Sequence, residues 1–191
     1  LARCRKRLLN QRATRPAPLR DDKALADWNG LMIAALAFAG AVFDQPTWSA
    51  AAEAAFAFVR QRMVAEGRLH HSWRQGKLRH PAVLHDYANM SRAAMILFEL
   101  SGQTDYLDQA VAWVSLADRH HWDALEGGYF LAADDTPNLI SRTKSALDNA
   151  VPSGNGTMVE VLARLAYLTG EDRYRQRAEE VVRTFAGMPA D

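Results

Sequence analysis

A unit that recurs three times constrains the fold of this chain more than any other sequence feature. Each unit contains a polar turn, an apolar segment with helical spacing, a short turn and an amphipathic segment. The apolar segments end at Phe43, Leu100 and Leu168, and the amphipathic ones cover roughly residues 47–65, 104–120 and 171–186. Helices that are apolar nearly all round are buried on both sides, whereas amphipathic helices keep one face in water. The repeat therefore predicts inner helices wrapped by outer helices, in a closed or partly closed ring of helical hairpins.

Turn signals set the expected boundaries of these helices. The turn Asp27-Trp28-Asn29-Gly30 precedes the first inner helix, which is predicted over residues 31–43. Pro152 and Ser153 are start signals for the third inner helix. The spacing in the first outer helix predicts a buried face made of Trp48, Ala51, Ala55, Phe58, Val59 and Met63.

Two segments between the helical units alternate as β-hairpins do. Residues 68–79 alternate around Gln75-Gly76, and residues 127–142 around positions 134–138. Residues 1–12 predict a short basic helix, and the prolines within residues 13–22 are typical of an extended linker. We therefore expect a basic segment and linker over residues 1–20, and an all-α domain with short β-hairpins over residues 21–191.

Charge and composition exclude several classes of partner. The net charge is +1, so no bulk field favours nucleic acid or a membrane surface. No apolar run is long enough to span a bilayer, and residues 1–20 lack the apolar core of a signal peptide. Cys4 is the single cysteine, which fits a reducing compartment. We expect a cytoplasmic location and, because the chain begins at Leu1, a piece of a longer protein.

Several motifs in combination resemble a known family. They are Asp22-Lys23, the segment WNGLMIAALA from Trp28, Asp86-Tyr87-Ala88, Gly127-Gly128-Tyr129-Phe130, Arg142, Lys144 and Pro152-Ser153-Gly154-Asn155. Over roughly residues 20–187, this set is similar to the helical region of the YyaL / spermatogenesis-associated protein 20 family. The resemblance implies an (α/α) toroid of the six-hairpin glycosidase type, similar to N-acylglucosamine 2-epimerases, which follows a thioredoxin-like domain in that family.

The chain departs from the family pattern in two ways. The thioredoxin-like part is absent, so its redox chemistry is not carried over. Three helical hairpins make only about half of a six-hairpin ring, and an open half-ring exposes two apolar ends. We expect a homodimer, or the missing remainder of a longer chain, to cover them.

Polar and aromatic side chains gather just before each inner helix, so three such groups are expected at one end of the ring. Carboxylates and amides bind sugar hydroxyls, and aromatic rings cover the C–H faces of sugars. We predict a small-molecule sugar ligand bound by Trp28, Asn29, His85, Tyr87, Tyr129, Arg142, Asn149, Ser153 and Asn155. The alternative for the third group is an ordinary helix cap with a glycine-rich turn.

Asp86 and Asp148 are the predicted catalytic acid–base pair. Glycoside hydrolysis usually needs two carboxyl groups, about 5–5.5 Å apart for retention and ~6.5–9.5 Å for inversion. Such a role predicts that Asp86→Asn abolishes turnover without loss of folding. The alternatives are a helix N-cap beside a buried tyrosine for Asp86 and a turn residue for Asp148.

Histidines offer a second chemistry, because epimerases of the resembled superfamily use them to move a proton next to an anomeric carbon. His85, beside Asp86, is the best candidate, and a surface or hydrogen-bonded histidine is its alternative. Each of the adjacent pairs His70-His71 and His120-His121 can direct only one member at a site. No HxxxH or HExxH spacing exists, so we expect no metal and no cofactor.

Two functions remain open from the sequence. The first is a carbohydrate-active or sugar-binding toroid, glycosidase-like or epimerase-like. The second is a non-catalytic helical scaffold that binds a protein or peptide on its concave face. The concentration of Asp, Asn and Ser at the starts of the inner helices favours the first.

Overall fold

The computed structural model describes residues 1–187, over which the chain forms seven helices and four short strands. The helices cover Ala2–Ala13 (α1), Ala26–Val42 (α2), Pro46–Arg62 (α3), Leu84–Ser101 (α4), Thr104–His120 (α5), Gly154–Thr169 (α6) and Asp172–Phe185 (α7). The strands cover Ala24–Leu25 (β1), Val64–Ala65 (β2), Arg68–Arg74 (β3) and Lys77–Pro81 (β4). The predicted all-α fold with short β-hairpin structure is confirmed. The predicted domain end at residue 191 lies outside the described residues.

Three helical hairpins build the helical layers. The inner helices are α2, α4 and α6, and α4 packs between the other two. Each inner helix is covered by the helix that follows it: α3 on α2, α5 on α4 and α7 on α6. The central helix α4 has neighbours on both sides and buries Tyr87, Met90 and Met95 completely or nearly so. This is the architecture of part of an (α/α) toroid, as predicted.

Two glycines allow the inner helices to approach one another near their N-terminal ends. A Cβ atom on Gly30 of α2 would lie 2.7 Å from the carbonyl carbon of Asn89 in α4. A Cβ atom on Gly154 of α6 would lie 2.8 Å from the side chain of Leu84. Any larger residue would push the helices apart, because close-packed backbones cannot absorb such an overlap.

A small antiparallel sheet lies between the first two helical hairpins in sequence. Strand β3 is central and pairs with β1, β2 and β4. The β3–β4 turn is formed by Gln75 and Gly76, which both have positive φ angles, as a tight two-residue hairpin turn requires. The hairpin predicted over residues 68–79 is confirmed, and β1 is an additional strand that follows the predicted linker.

Three local predictions were wrong, and the first concerns the start of α2. This helix begins at Ala26, so Asp27, Trp28 and Asn29 lie in its first turn rather than in a preceding turn. Strand β1 ends directly before the helix, and Leu25, the residue before the helix, has an extended backbone conformation.

The second correction concerns the buried face of α3. Val59 and Met63 are buried as predicted, and Ala55 and Phe58 are half-buried against the core. Trp48 and Ala51 are exposed, and Ala52 and Phe56 are buried in their place. Trp48 instead packs edge-on against Phe43 near the surface, with ring centroids 6.4 Å apart.

The third correction concerns residues 127–142, which form no hairpin. In the described part of the chain, this region contains only an isolated bridge between Trp122 and Tyr129. The Leu131 N–H donates to the Thr143 carbonyl at 2.8 Å, and Arg142 donates to the carbonyls of Ala132, at 3.0 Å, and His120, at 2.7 Å. These bonds hold the segment without strand pairing. Its alternating sequence pattern therefore did not indicate strand pairing.

Apolar side chains are exposed on both terminal helical hairpins. On α2 these are Trp28, Met32, Phe38 and Val42, and on α6 and α7 they are Tyr167 and Val182. The expected exposure of two apolar ends is therefore present. Separately, no helix within residues 1–187 has the length and apolarity needed to cross a membrane.

Candidate functional site

The N-terminal ends of the inner helices meet at one end of the molecule. The backbone N–H of Asp27 in α2 donates to the Asp86 carboxylate of α4, at 2.9 Å. Gly154, the first residue of α6, packs against Leu84 at the start of α4. The polar residues before and within these first turns therefore share one end, as the sequence predicted.

Asp86 lies at the centre of this end and is completely buried. Its Oδ1 accepts the Asp27 N–H, and its Oδ2 accepts the Val83 N–H at 2.8 Å. The second bond closes the first turn of α4, because Asp86 reaches back to the residue that caps the helix. Asp86 thus joins two inner helices and caps one of them, close to the alternative considered for it.

His71 reaches Asp86 from strand β3. Its Nδ1 lies 3.0 Å from both carboxylate oxygens, while 28% of its side chain stays exposed. The hydrogen bond with Asp86 raises the pKa of His71, against the opposing effect of burial. When Nδ1 donates its proton to Asp86, Nε2 is left as the other position for proton exchange. Asp86 therefore fixes the orientation of an imidazole whose second nitrogen can take part in chemistry.

Asp27 supplies a second carboxylate beside this pair. It is only 7% exposed, and its Oδ1 accepts the N–H of Trp28 at 2.7 Å. Burial raises the pKa of Asp27, and the negative charge of Asp86 raises it further. Buried carboxyls with raised pKa values beside another charged group are typical of acid–base sites, although structural networks also produce them.

Asp27, His71 and Asp86 could also hold a metal ion, since one ligand atom from each lies within 4.8 Å of the others. However, both oxygens of Asp86 already accept backbone N–H groups, and both lie at hydrogen-bonding distance from Nδ1. A proton between His71 and Asp86 satisfies this geometry fully. These contacts are those of a hydrogen bond between His71 and Asp86.

The remaining predicted residues of α2 and α4 surround this cluster. Trp28 is 60% exposed at the rim, next to Asp27. His85 is partly buried and lies close enough to Asp27 to oppose the rise in that carboxyl's pKa. The amide of Asn29 donates to the Leu25 carbonyl at 2.7 Å, and Tyr87 is buried with its ring edge-on to His121.

The predicted residues before α6 hold the backbone in place. Asp148 is exposed and accepts the Ser153 N–H at 2.8 Å, and Ser153 caps α6 by accepting the Gly156 N–H at 2.9 Å. No hydrogen bond within residues 1–187 joins Asp148 to Asp86. The Asp148 carboxylate instead bonds within its own turn. Asn149 is exposed and its own N–H donates to the Val151 carbonyl.

Asn155 is a buried clamp for the long segment that leads to α6. Its side-chain oxygen accepts the Tyr129 N–H at 2.8 Å, and its amide donates to the carbonyls of Tyr129 and Ser145. Tyr129 is also fully buried, and its hydroxyl donates to Asp118 at 2.6 Å. Arg142, which packs over the ring of Phe130 at 4.1 Å, holds the same segment. All three side chains are engaged in holding the loop.

One further histidine can be excluded from acid catalysis. His121 is completely buried, and its Nδ1 bonds to the Phe130 carbonyl at 3.1 Å. Burial lowers the pKa of His121 to about 4, so its ring is neutral at physiological pH.

Two members of the central cluster were not among the predicted site residues. Asp27 stands next to a predicted binding residue, Trp28, and lies at the start of an inner helix as Asp86 does. His71 lies on a strand, and only the pairing of β1 with β3 brings it near the inner helices. The parallel between Asp27 and Asp86 was available in the sequence, whereas the position of His71 depended on the sheet.

Comparison with known proteins supports the predicted relationship. The chain is 32% identical to human spermatogenesis-associated protein 20, over 94% of its own length and 24% of that protein. The rat protein of the same name is 31% identical with the same coverage. The chain therefore spans about a quarter of the length of the curated relatives it matches. No protein-family model matches the chain.

Solved structures confirm the fold. A GH76 α-mannanase from Bacteroides thetaiotaomicron superposes with a TM-score of 0.73 at 15% identity, over 92% of this chain and 48% of the mannanase. A cellobiose 2-epimerase from Bacillus thermoamylovorans gives 0.74 at 11% identity, over 92% of this chain and 47% of the epimerase. At these identities the likeness establishes the toroid fold, and the chain covers about half of each neighbour.

Proposed function

We propose that this chain carries a sugar-binding site that transfers protons. The chain is related to spermatogenesis-associated protein 20 and folds as part of an (α/α) toroid. The site consists of Asp27, His71 and Asp86, with Trp28 and His85 at its rim. The observation that carries the proposal is the hydrogen bond between buried Asp86 and half-buried His71, beside a second buried carboxyl. The structural neighbours include enzymes that act on sugars, and this favours a sugar as the ligand.

His71 is the proposed general base and acid. With its Nδ1 bound to Asp86, it exchanges a proton through Nε2. Asp86 is a positioning residue: it orients the ring and stabilises the protonated form. Asp27 is the proposed second proton carrier, because its pKa is raised toward the range in which a carboxyl can donate a proton.

This assignment favours an epimerase-like or isomerase-like reaction over hydrolysis by two carboxylates. Hydrolysis needs a carboxyl that donates a proton and a second that is free to act on water or on the sugar. Asp86 is engaged by two backbone N–H groups and by His71, which leaves Asp27 as the available carboxyl of the cluster. The predicted pairing of Asp86 with Asp148 stays a prediction. In our proposal Asp148 contributes to the rim at most.

A binding experiment tests the proposal. The mass of the chain is first measured by light scattering on a size-exclusion column, and the main peak is then used for thermal shift with a monosaccharide panel. A ligand at a hundredfold excess over its Kd stabilises the folded state by about 2.7 kcal/mol. For a domain of this size that raises the Tm by about 5 °C or more.

Two histidine variants make the experiment specific. His71→Asn is expected to remove the sugar response. His80→Asn is the matched control, because His80 is exposed and has a positive φ angle that asparagine tolerates. A panel without any response from the wild-type chain would overturn the proposal, as would an unchanged response in His71→Asn.

A further inference from the structure

One negative charge of the proposed site has no cationic partner within residues 1–187. The Asp86 carboxylate has His71 as its partner, whose Nδ1 lies 3.0 Å away. Asp27 forms no ion pair in this part of the chain, and its one side-chain hydrogen bond there comes from the Trp28 N–H. A carboxylate that is 7% exposed and not paired with a cation is uncommon in a folded protein.

The positive groups around Asp27 do not remove this imbalance. His71 opposes the rise in the pKa of Asp27, but its Nδ1 lies at hydrogen-bonding distance from Asp86 and forms no ion pair with Asp27 within residues 1–187. His85 opposes the rise in the pKa of Asp27 but makes no hydrogen bond or ion pair with it. Lys23 lies near His71, yet its ammonium pairs with Asp21 at 3.1 Å and is half exposed. Within residues 1–187, Asp27 is therefore the carboxylate of the cluster that is left without a paired cation.

We infer that this site, given the proposed sugar function, selects its ligand by charge, and that Asp27 is the selecting residue. A protonated amino sugar supplies the missing cation and binds most tightly. A neutral sugar offers hydroxyl donors and binds less tightly. A uronic acid places a carboxylate near Asp27 and binds most weakly.

Three sugars with the same ring test this order: glucosamine, glucose and glucuronate. Their Kd values are measured by isothermal titration calorimetry at pH 7 and constant ionic strength. Two unit charges 4 Å apart interact even in water strongly enough to change a binding constant about fivefold. We expect at least this ratio between glucosamine and glucose, and again between glucose and glucuronate, with both ratios smaller in high salt.

Asp27→Asn assigns the selectivity to one residue, because asparagine can still accept the Trp28 N–H. In this variant the preference for glucosamine over glucuronate is expected to fall by at least about fivefold. Asp108→Asn is the matched control, since Asp108 is exposed on the outer helix α5 and should leave the order unchanged.

The outcomes separate this inference from the proposed function. Glucuronate binding as tightly as glucose, or an unchanged order in Asp27→Asn, would overturn the charge selection and leave the sugar site standing. Absence of binding by all three sugars to the wild-type chain would overturn both.

Discussion

The first turns of α4 and α6 carry similar residues, yet they use them differently. At α4, Asp86 is buried and bonds to His71 of the sheet and to Asp27 of the neighbouring helix. At α6, Asp148, Ser153 and Asn155 bond to backbone groups of their own loop and helix. The difference teaches that polar residues at a helix start become a site only when another element supplies titratable side chains to them.

Of the substitutions in these two regions, Asp86→Asn should cause the largest loss of folding stability. The variant leaves a buried backbone N–H without its acceptor and removes the charge that His71 faces. Breaking a buried ion pair in this way costs about 3–5 kcal/mol. Urea unfolding should therefore show a large loss of stability, in contrast to the stable Asp86→Asn variant expected from the sequence. A variant as stable as the wild type would contradict the role given to Asp86.

Asn155→Ala should be the next largest change, and it should affect stability alone. The substitution leaves the N–H and carbonyl of Tyr129 and the carbonyl of Ser145 without the clamp. Buried polar groups left without partners cost about 1–3 kcal/mol each, and water entering the space would recover part of this. We expect a loss of about 2–3 kcal/mol in urea unfolding, with the sugar response kept at temperatures where the variant is folded. A stable variant that no longer responds to sugars would place Asn155 in the binding site instead.

His71→Asn should have a smaller effect that depends on pH. Because the pKa of His71 is raised in the folded state, its contribution to stability is complete below about pH 6.5 and is lost as pH rises through the folded-state pKa. The wild type should therefore exceed the variant most at pH 5–6 and least at alkaline pH. The free energy of unfolding of both proteins across this range tests the prediction, and a difference that grows with pH would reverse the sign argued here.

Asp27→Asn should give the smallest change, and in the opposite direction. Its raised pKa means that the folded protein holds the charged form of Asp27 less well than the unfolded chain does. Wild-type stability relative to the variant should fall as pH rises from about 3.8 through the folded-state pKa. At pH 7 the variant should be more stable by about 0.5–1 kcal/mol. A loss of stability at pH 7 would show that Asp27 is a structural residue.

Much of the fold could be predicted because helical spacing and turn signals are local. The apolar segments became α2, α4 and α6, and the positive φ angles of Gln75 and Gly76 match the predicted hairpin turn. The start of α2 and part of the buried face of α3 were mispredicted, because they depend on strand β1 and on the packing of α3 against α2.

The site was less predictable because it depends on long-range contacts. Asp86 was recognised from its place before an inner helix, but its bond to His71 requires strand β3 to lie beside the start of α4. Ser153 and Asn155 have the residue types of a binding site, and only the positions of Tyr129 and Ser145 show what they bind. Residue type at a helix start therefore indicated candidate positions. It did not distinguish the proposed site at Asp86 from the structural hydrogen bonds of Asn155.

An NMR titration of the histidine side chains tests the central claim most directly. The ring resonances of His71 are followed with pH in the free protein and then with glucosamine and glucose, and those of exposed His80 serve as the reference. The account predicts a His71 pKa above 6.5, and resonances of His71 but not of His80 that move when sugar is added. A His71 that titrates like His80 and does not respond to either sugar would contradict the account.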